Sequence, residues 1–86
     1  MSKPRTRPHR TSADHTALGR AVRILRVTRD LSQEELGARA DLHRNYIGAI
    51  ERGEINPTFR VLLKLERGLD VPPSELIAKY EELLAG

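Results

Sequence analysis

The 86-residue chain has no cysteine and three aromatic residues, Tyr46, Phe59 and Tyr80, which leaves room for one domain with a small aliphatic core and excludes a disulfide framework or a cysteine-ligated zinc site. No apolar run approaches the roughly 20 residues needed to span a bilayer, and no apolar segment follows the basic N-terminus as a secretory signal would, so a soluble, cytoplasmic protein is expected. The net charge of +3 is unevenly spread: residues 1–29 hold eight Lys or Arg against Asp14 alone, whereas residues 30–86 hold seven basic and eleven acidic side chains, a polarity that points the N-terminal third toward a polyanion.

Residues 1–13 combine two prolines with many charges and no apolar period, and are expected to form a disordered basic tail. The remainder, 14–86, reads as one helical domain. Leu18, Val22 and Leu25 recur at i, i+4 and i+7 with Ala21 on the same stripe, predicting a first helix over 15–29. Ser32 and Glu35 have the spacing of a capping box, flanked by Leu31 and Leu36 as a hydrophobic staple, so a second helix starts at Gln33 and runs to about Ala40. A third covers 44–52 and stops at Gly53. Thr58 is placed to cap a fourth over 59–68, with Phe59, Leu62, Leu63 and Leu65 as its apolar residues. Pro73 suits the first position of a fifth, about 73–84, which aligns Leu76, Ile77, Tyr80, Leu83 and Leu84. Nothing alternates as a strand does. The expected fold is all-α, a compact five-helix bundle.

Only Asp41–His43 separate helices 2 and 3. So short a connection forces a steep crossing and calls for a small residue at the contact, which Gly37 supplies. This is the geometry of a helix-turn-helix, whose second helix enters the major groove of DNA. At 100° per residue, Tyr46, Ile47 and Ile50 of helix 3 face the core, while Arg44, Asn45, Gly48, Ala49 and Arg52 face away. Gly48 costs a helix about 1 kcal/mol relative to Ala. A solvated face gains nothing from that loss, whereas a backbone pressed against base edges does.

The stretch from Leu31 to Pro57, LSQEELGARADLHRNYIGAIERGEINP, resembles the Cro/repressor-type (xenobiotic-response-element type) helix-turn-helix regulators, and the resemblance extends over about residues 16–78. The segment from Leu42 to Gly53 is most similar to the controller regulators of restriction–modification systems and to short phage-like repressors. The resemblance implies a lambda-repressor-like domain that binds double-stranded DNA as a homodimer at an inverted-repeat operator and sits with the nucleoid. It implies that Arg44, Asn45, Gly48 and Ala49 meet bases, Arg pairing with guanine, Asn with adenine, and Ala49 touching a thymine methyl. Gln33 and Arg52 are implied to hold phosphates. Glu51 is implied to pair with Arg26 in a structural ion pair. Asp41 and Asp70 stand where the family has Gly, which Asp tolerates in the left-handed conformation at some cost. His43 replaces the usual Ser, Thr or Asp cap; imidazole is expected to cap poorly, making His43 a phosphate contact or a weak spot.

Leu83 and Leu84 extend the helix 5 stripe beyond what so small a domain covers, so Leu76, Ile77, Tyr80, Leu83 and Leu84 are expected to form the dimer interface. The basic tail reads either as an arm along phosphate or the minor groove, or as a leader without a role. Lacking a cysteine nucleophile, a glycine-rich phosphate loop or an acid–His pair at a cleft, the chain is expected to be no enzyme and to need no cofactor, metal or small-molecule ligand. The competing reading is an antitoxin-like module that uses the same fold to grip a protein partner; the outward face of helix 3 separates the two, because a protein-docking helix shows larger apolar anchors there.

Overall fold

A computed structural model describes residues 12–86, which form five helices and no strand: α1 (Ala13–Thr28), α2 (Gln33–Ala40), α3 (Arg44–Glu51), α4 (Phe59–Leu69) and α5 (Pro73–Ala85). α1 starts two residues earlier than its apolar stripe suggested. Ser12 is its N-cap, with the hydroxyl accepting from the His15 amide at 3.0 Å, so Ser12 and Ala13 belong to the domain and not to the tail. The expected tail character of residues 1–11 lies outside the described residues.

The capping box of α2 forms as read: the Ser32 hydroxyl accepts from the Glu35 amide at 2.9 Å and the Glu35 carboxylate accepts from the Ser32 amide at 2.8 Å. That backbone hydrogen bond holds the Glu35 carboxyl below the usual carboxylate range. Each of the first four helices is followed by a residue of positive φ, at the C-cap of α2 and α4 and one residue past it after α1 and α3. Asp30, Asp41 and Asp70 take φ of 57°, 59° and 57°, and Gly53 takes 74°. After α1, the Leu31 amide returns to the Arg26 carbonyl at 3.1 Å, and after α4 the Val71 amide returns to Glu66 at 3.1 Å, both closing the orphan carbonyls of a last turn. Asp41 and Asp70 adopt the left-handed conformation the sequence called for; Asp30 repeats the device.

Four helix pairings build most of the bundle. α1 packs on α5 and α3, and α2 packs on α4 and α3. Their shared core contains Val22 and Leu25 of α1, Leu36 of α2, Ile47 and Ile50 of α3, Leu65 and Leu69 of α4, and Leu76 of α5. Phe59 is 74% exposed at the start of α4; Val61 and Leu62 are half-buried against the core, and the fully buried residues of that helix begin at Leu65. At the tight crossing, a Cβ on Gly37 would collide with the Leu42 carbonyl, which is backbone and cannot move aside, so the turn requires the glycine. No helix among the described residues is long and apolar enough to cross a membrane.

Candidate nucleic-acid interface

Beneath the outward face of α3 lies an ion pair that joins three segments. Arg26 of α1 donates through Nε to Glu51 Oε2 at 2.6 Å and through Nη2 to Oε1 at 3.0 Å, while Nη1 donates to the Leu31 carbonyl at 2.7 Å. The side chains are 12% and 4% exposed, so the pair is nearly desolvated and is sustained by its fork geometry. The pairing itself was expected. Its third partner was not: Gln33 at the start of α2 donates through Nε2 to Glu51 Oε1 at 3.0 Å. The ion pair therefore fixes the amide of a residue implied to hold phosphate.

Gly48 is buried, contrary to the expectation of an open groove face. The cover is side chain, not fold. A Cβ built there would lie 3.0 Å from Arg52 Nη1 and 3.5 and 3.6 Å from the Gln33 amide oxygen and nitrogen. Gln33 and Arg52 thus lean over the same glycine from opposite ends, forming one surface with α3. Arg44 and Asn45 stand exposed at the first turn of α3, and Ala49 is half-buried.

His43 caps α3 after all, since its Nδ1 accepts from the Asn45 amide at 2.9 Å. Nδ1 is as many bonds from Cα as the side-chain oxygen of Asn, so the reach is that of a good cap. An accepting Nδ1 fixes the neutral tautomer with its proton on Nε2, an assignment made from the hydrogen bond, and leaves that N–H free to donate.

Both exposed arginines of this face have carboxylate neighbours that sequence reading missed. Arg52 donates through Nε and Nη2 to Glu54 Oε2 and Oε1 at 2.8 and 3.2 Å. The shared hydrogen bonds hold the Arg52 guanidinium above its ordinary range and the Glu54 carboxyl below the carboxylate range. Arg44 Nη1 lies 3.7 Å from Glu34 Oε1, a looser contact. The only sequence signal for the first pair is the two-residue spacing across the Gly53 turn.

The helix 5 residues separate into two groups. Leu76 has no exposed surface and belongs to the core of the single chain, which corrects its expected place in a dimer contact. Tyr80 and Leu83 are half-buried against that core, and Tyr80 donates its hydroxyl to Asp14 Oδ1 at 2.7 Å, a bond that holds the phenol above its ordinary range. Ile77 and Leu84, 40% and 45% exposed, carry the apolar surface that remains. Ile77 borders a shallow groove with Leu18, Leu62 and Tyr80, and Leu84 borders another with Ala17 and Arg20.

The comparisons agree with this geometry. The helix-turn-helix family profile matches residues 22–76. The chain is 40% identical over 60 residues to the control protein C.BamHI of Bacillus amyloliquefaciens, which is 69% of this chain and 74% of that protein. It is 37% identical over 60 residues to the cryptic phage CTXphi transcriptional repressor RstR of Vibrio cholerae, 70% of this chain and 54% of that protein. The solved restriction-modification controller protein C.AhdI from Aeromonas hydrophila has a TM-score of 0.74 at 42% identity, covering 76% of this chain and 98% of that one. The controller protein C.Esp1396I, solved as a tetramer with its natural 35 base-pair operator, has the same fold with a TM-score of 0.82 at 24% identity, covering 87% of this chain and 99% of that one. With the profile spanning well over half of its length, this chain belongs to the helix-turn-helix family of transcriptional regulators, alongside the restriction–modification controller proteins.

Proposed function

We propose that the protein is an operator-binding transcriptional regulator of the controller type, which places α3 in the major groove and reads an inverted repeat as a homodimer. The observation that carries this reading is the surface on α3: Arg44 and Asn45 exposed at its N-terminal turn, and Gln33 and Arg52 converging on Gly48. In this reading Arg44 and Asn45 read base edges, and the half-buried Ala49 contributes a methyl contact. Gln33, the free Nε2–H of His43, and Arg52 hold phosphates and fix register without carrying sequence information. The dimer contact centres on Ile77 and Leu84, flanked by Tyr80 and Leu83.

The controller relatives at about 40% identity support the biology, and the exposed polar face of α3 favours DNA over a protein partner. Selection from a random duplex library tests the reading. The expected product is an inverted repeat whose half-site centres lie roughly 34–36 Å apart, one helical turn. Recovery of an unpaired half-site, or of no motif, would overturn it.

A further inference from the structure

A cation meant for DNA is usually left free for it, yet the strongest exposed ion pair on this face is between Arg52 and Glu54. Its placement is set by the backbone. Arg52 is the C-cap of α3, Gly53 turns the chain at positive φ, and the Glu54 amide donates to the Ala49 carbonyl at 3.0 Å. The carboxylate is thus delivered to the guanidinium with little ordering left to do. It occupies the Nε/Nη2 edge, the edge that also receives a phosphate in two parallel hydrogen bonds, while Nη1 points over Gly48. A phosphate and Glu54 cannot both hold that edge.

We propose that Glu54 is an intramolecular competitor of DNA phosphate for Arg52, and that it sets the strength of DNA association. This rests on the reading of Arg52 as a phosphate contact. Both side chains are more than half exposed, at 60% and 53%, so the pair is easily broken and acts as a tuning element rather than a lock. The Arg52 hydrogen bond holds the Glu54 carboxyl below its ordinary range, so the competitor stays ionised at neutral pH. Because phosphate contacts are indifferent to sequence, the competition lowers affinity for all duplexes by one factor. It also flattens the salt dependence, since the carboxylate released on binding takes up cations as the phosphate gives them off.

The test is a double-mutant cycle in the full chain with Glu54→Gln, Arg52→Ala and both together, measured on a random-sequence duplex and on a duplex recovered by selection. Glu54→Gln keeps the backbone amide and should fold as the parent does by circular dichroism. The expected result is tighter binding by about two- to five-fold per subunit on both duplexes, the range of an exposed ion pair. The slope of log affinity against log salt should steepen by up to about 0.9, the value of one phosphate. Both effects should vanish in the Arg52→Ala background. An equal gain in that background would reduce Glu54 to a distant charge and overturn the proposal, as would weaker binding by Glu54→Gln or a gain confined to the selected duplex. Arg52→Ala alone binding both duplexes with parental affinity would instead refute Arg52 as a phosphate contact, a separate failure.

Discussion

Gly48→Ala is expected to make the protein more stable and a poorer DNA binder. Alanine in a helix interior is favoured over glycine by about 0.8–1.0 kcal/mol, and Gly48 sits five residues into an eight-residue helix. The new methyl meets no backbone. Its nearest neighbours are Arg52 Nη1 at 3.0 Å and the Gln33 amide at 3.5 and 3.6 Å, the first the far end of a flexible, exposed side chain and the second at ordinary contact distance. Moving Arg52 by a few tenths of an ångström costs little, so a net gain of roughly 0.5–1 kcal/mol should survive. For a domain of this size that is a rise in melting temperature of about 2–8 °C, readable by circular dichroism. With α3 in the groove as proposed, the same methyl thickens the helix at that face and displaces the Arg52 guanidinium that leans over it, while Gln33 stays at ordinary contact distance. Affinity for a selected duplex should fall about ten-fold, the scale of one lost polar contact. A lower melting temperature would show that Gln33 and Arg52 are held too rigidly to yield. A higher one with unchanged affinity would show that this glycine does not face DNA, and would remove the main reason for placing α3 in the groove.

Two further outcomes follow from burial. Glu66 of α4 is buried, and desolvation pushes its carboxyl above the usual range, so ionisation is penalised in the folded state; stability is complete below the unfolded value near 4.5 and is lost as pH rises through the folded one. Glu66→Gln should therefore melt higher than the parent at neutral pH, with the difference closing as pH falls toward 4.5; equal melting at neutral pH would refute the reasoning. Leu84→Asp should remain helical, sediment as a monomer and lose most affinity for a full inverted repeat while keeping that for a half-site, because Leu84 is 45% exposed and is not part of the monomer core. A Leu84→Asp protein that stays dimeric would place the interface elsewhere.

What the sequence made legible was local grammar. The Ser32–Glu35 box involves residues three apart and needs no tertiary information, and the same holds for the left-handed Asp41 and Asp70. Ser12 obeys the same grammar, yet the charged, proline-rich composition before it masked a cap that extends α1 by two residues. Where expectation failed, the missing quantity was what lies over a position. Periodicity gives the azimuth of Gly48 but not the side chains of Gln33 and Arg52 that fold across it. It likewise puts Leu76 and Leu84 on one stripe, although one is sealed in the core and the other meets solvent. The His43 cap was lost to a ranking by residue type, when the decisive matter was the bond count from Cα to the accepting atom.

The Arg26–Glu51–Gln33 node shows why stability and recognition are not separable here. Glu51 Oε1 is shared between Arg26 Nη2 and Gln33 Nε2, each at 3.0 Å, so one nearly buried oxygen ties α1 to the first residue of α2 from within α3. The bond to Glu51 consumes one N–H of the Gln33 amide and determines which of its ends lies inward. The second N–H is left over, and in the proposed reading it is the group that meets a phosphate. An ion pair assigned to structure alone thereby also orients the amide of Gln33, the residue proposed to hold a phosphate. The short reach from α1 through α3 to Gln33 lets an eight-residue helix hold its own flank in position while Arg44 and Asn45 on its outward face stay exposed. Breaking so desolvated a pair by removing one partner costs about 3–5 kcal/mol in general, a large share of the stability of a domain this small. Gln33 can leave Glu51 without breaking that pair, so the node orients the amide rather than locking it: the ion pair keeps the carboxylate in place, and one hydrogen bond from Gln33 to it turns the amide the proposed phosphate contact would need.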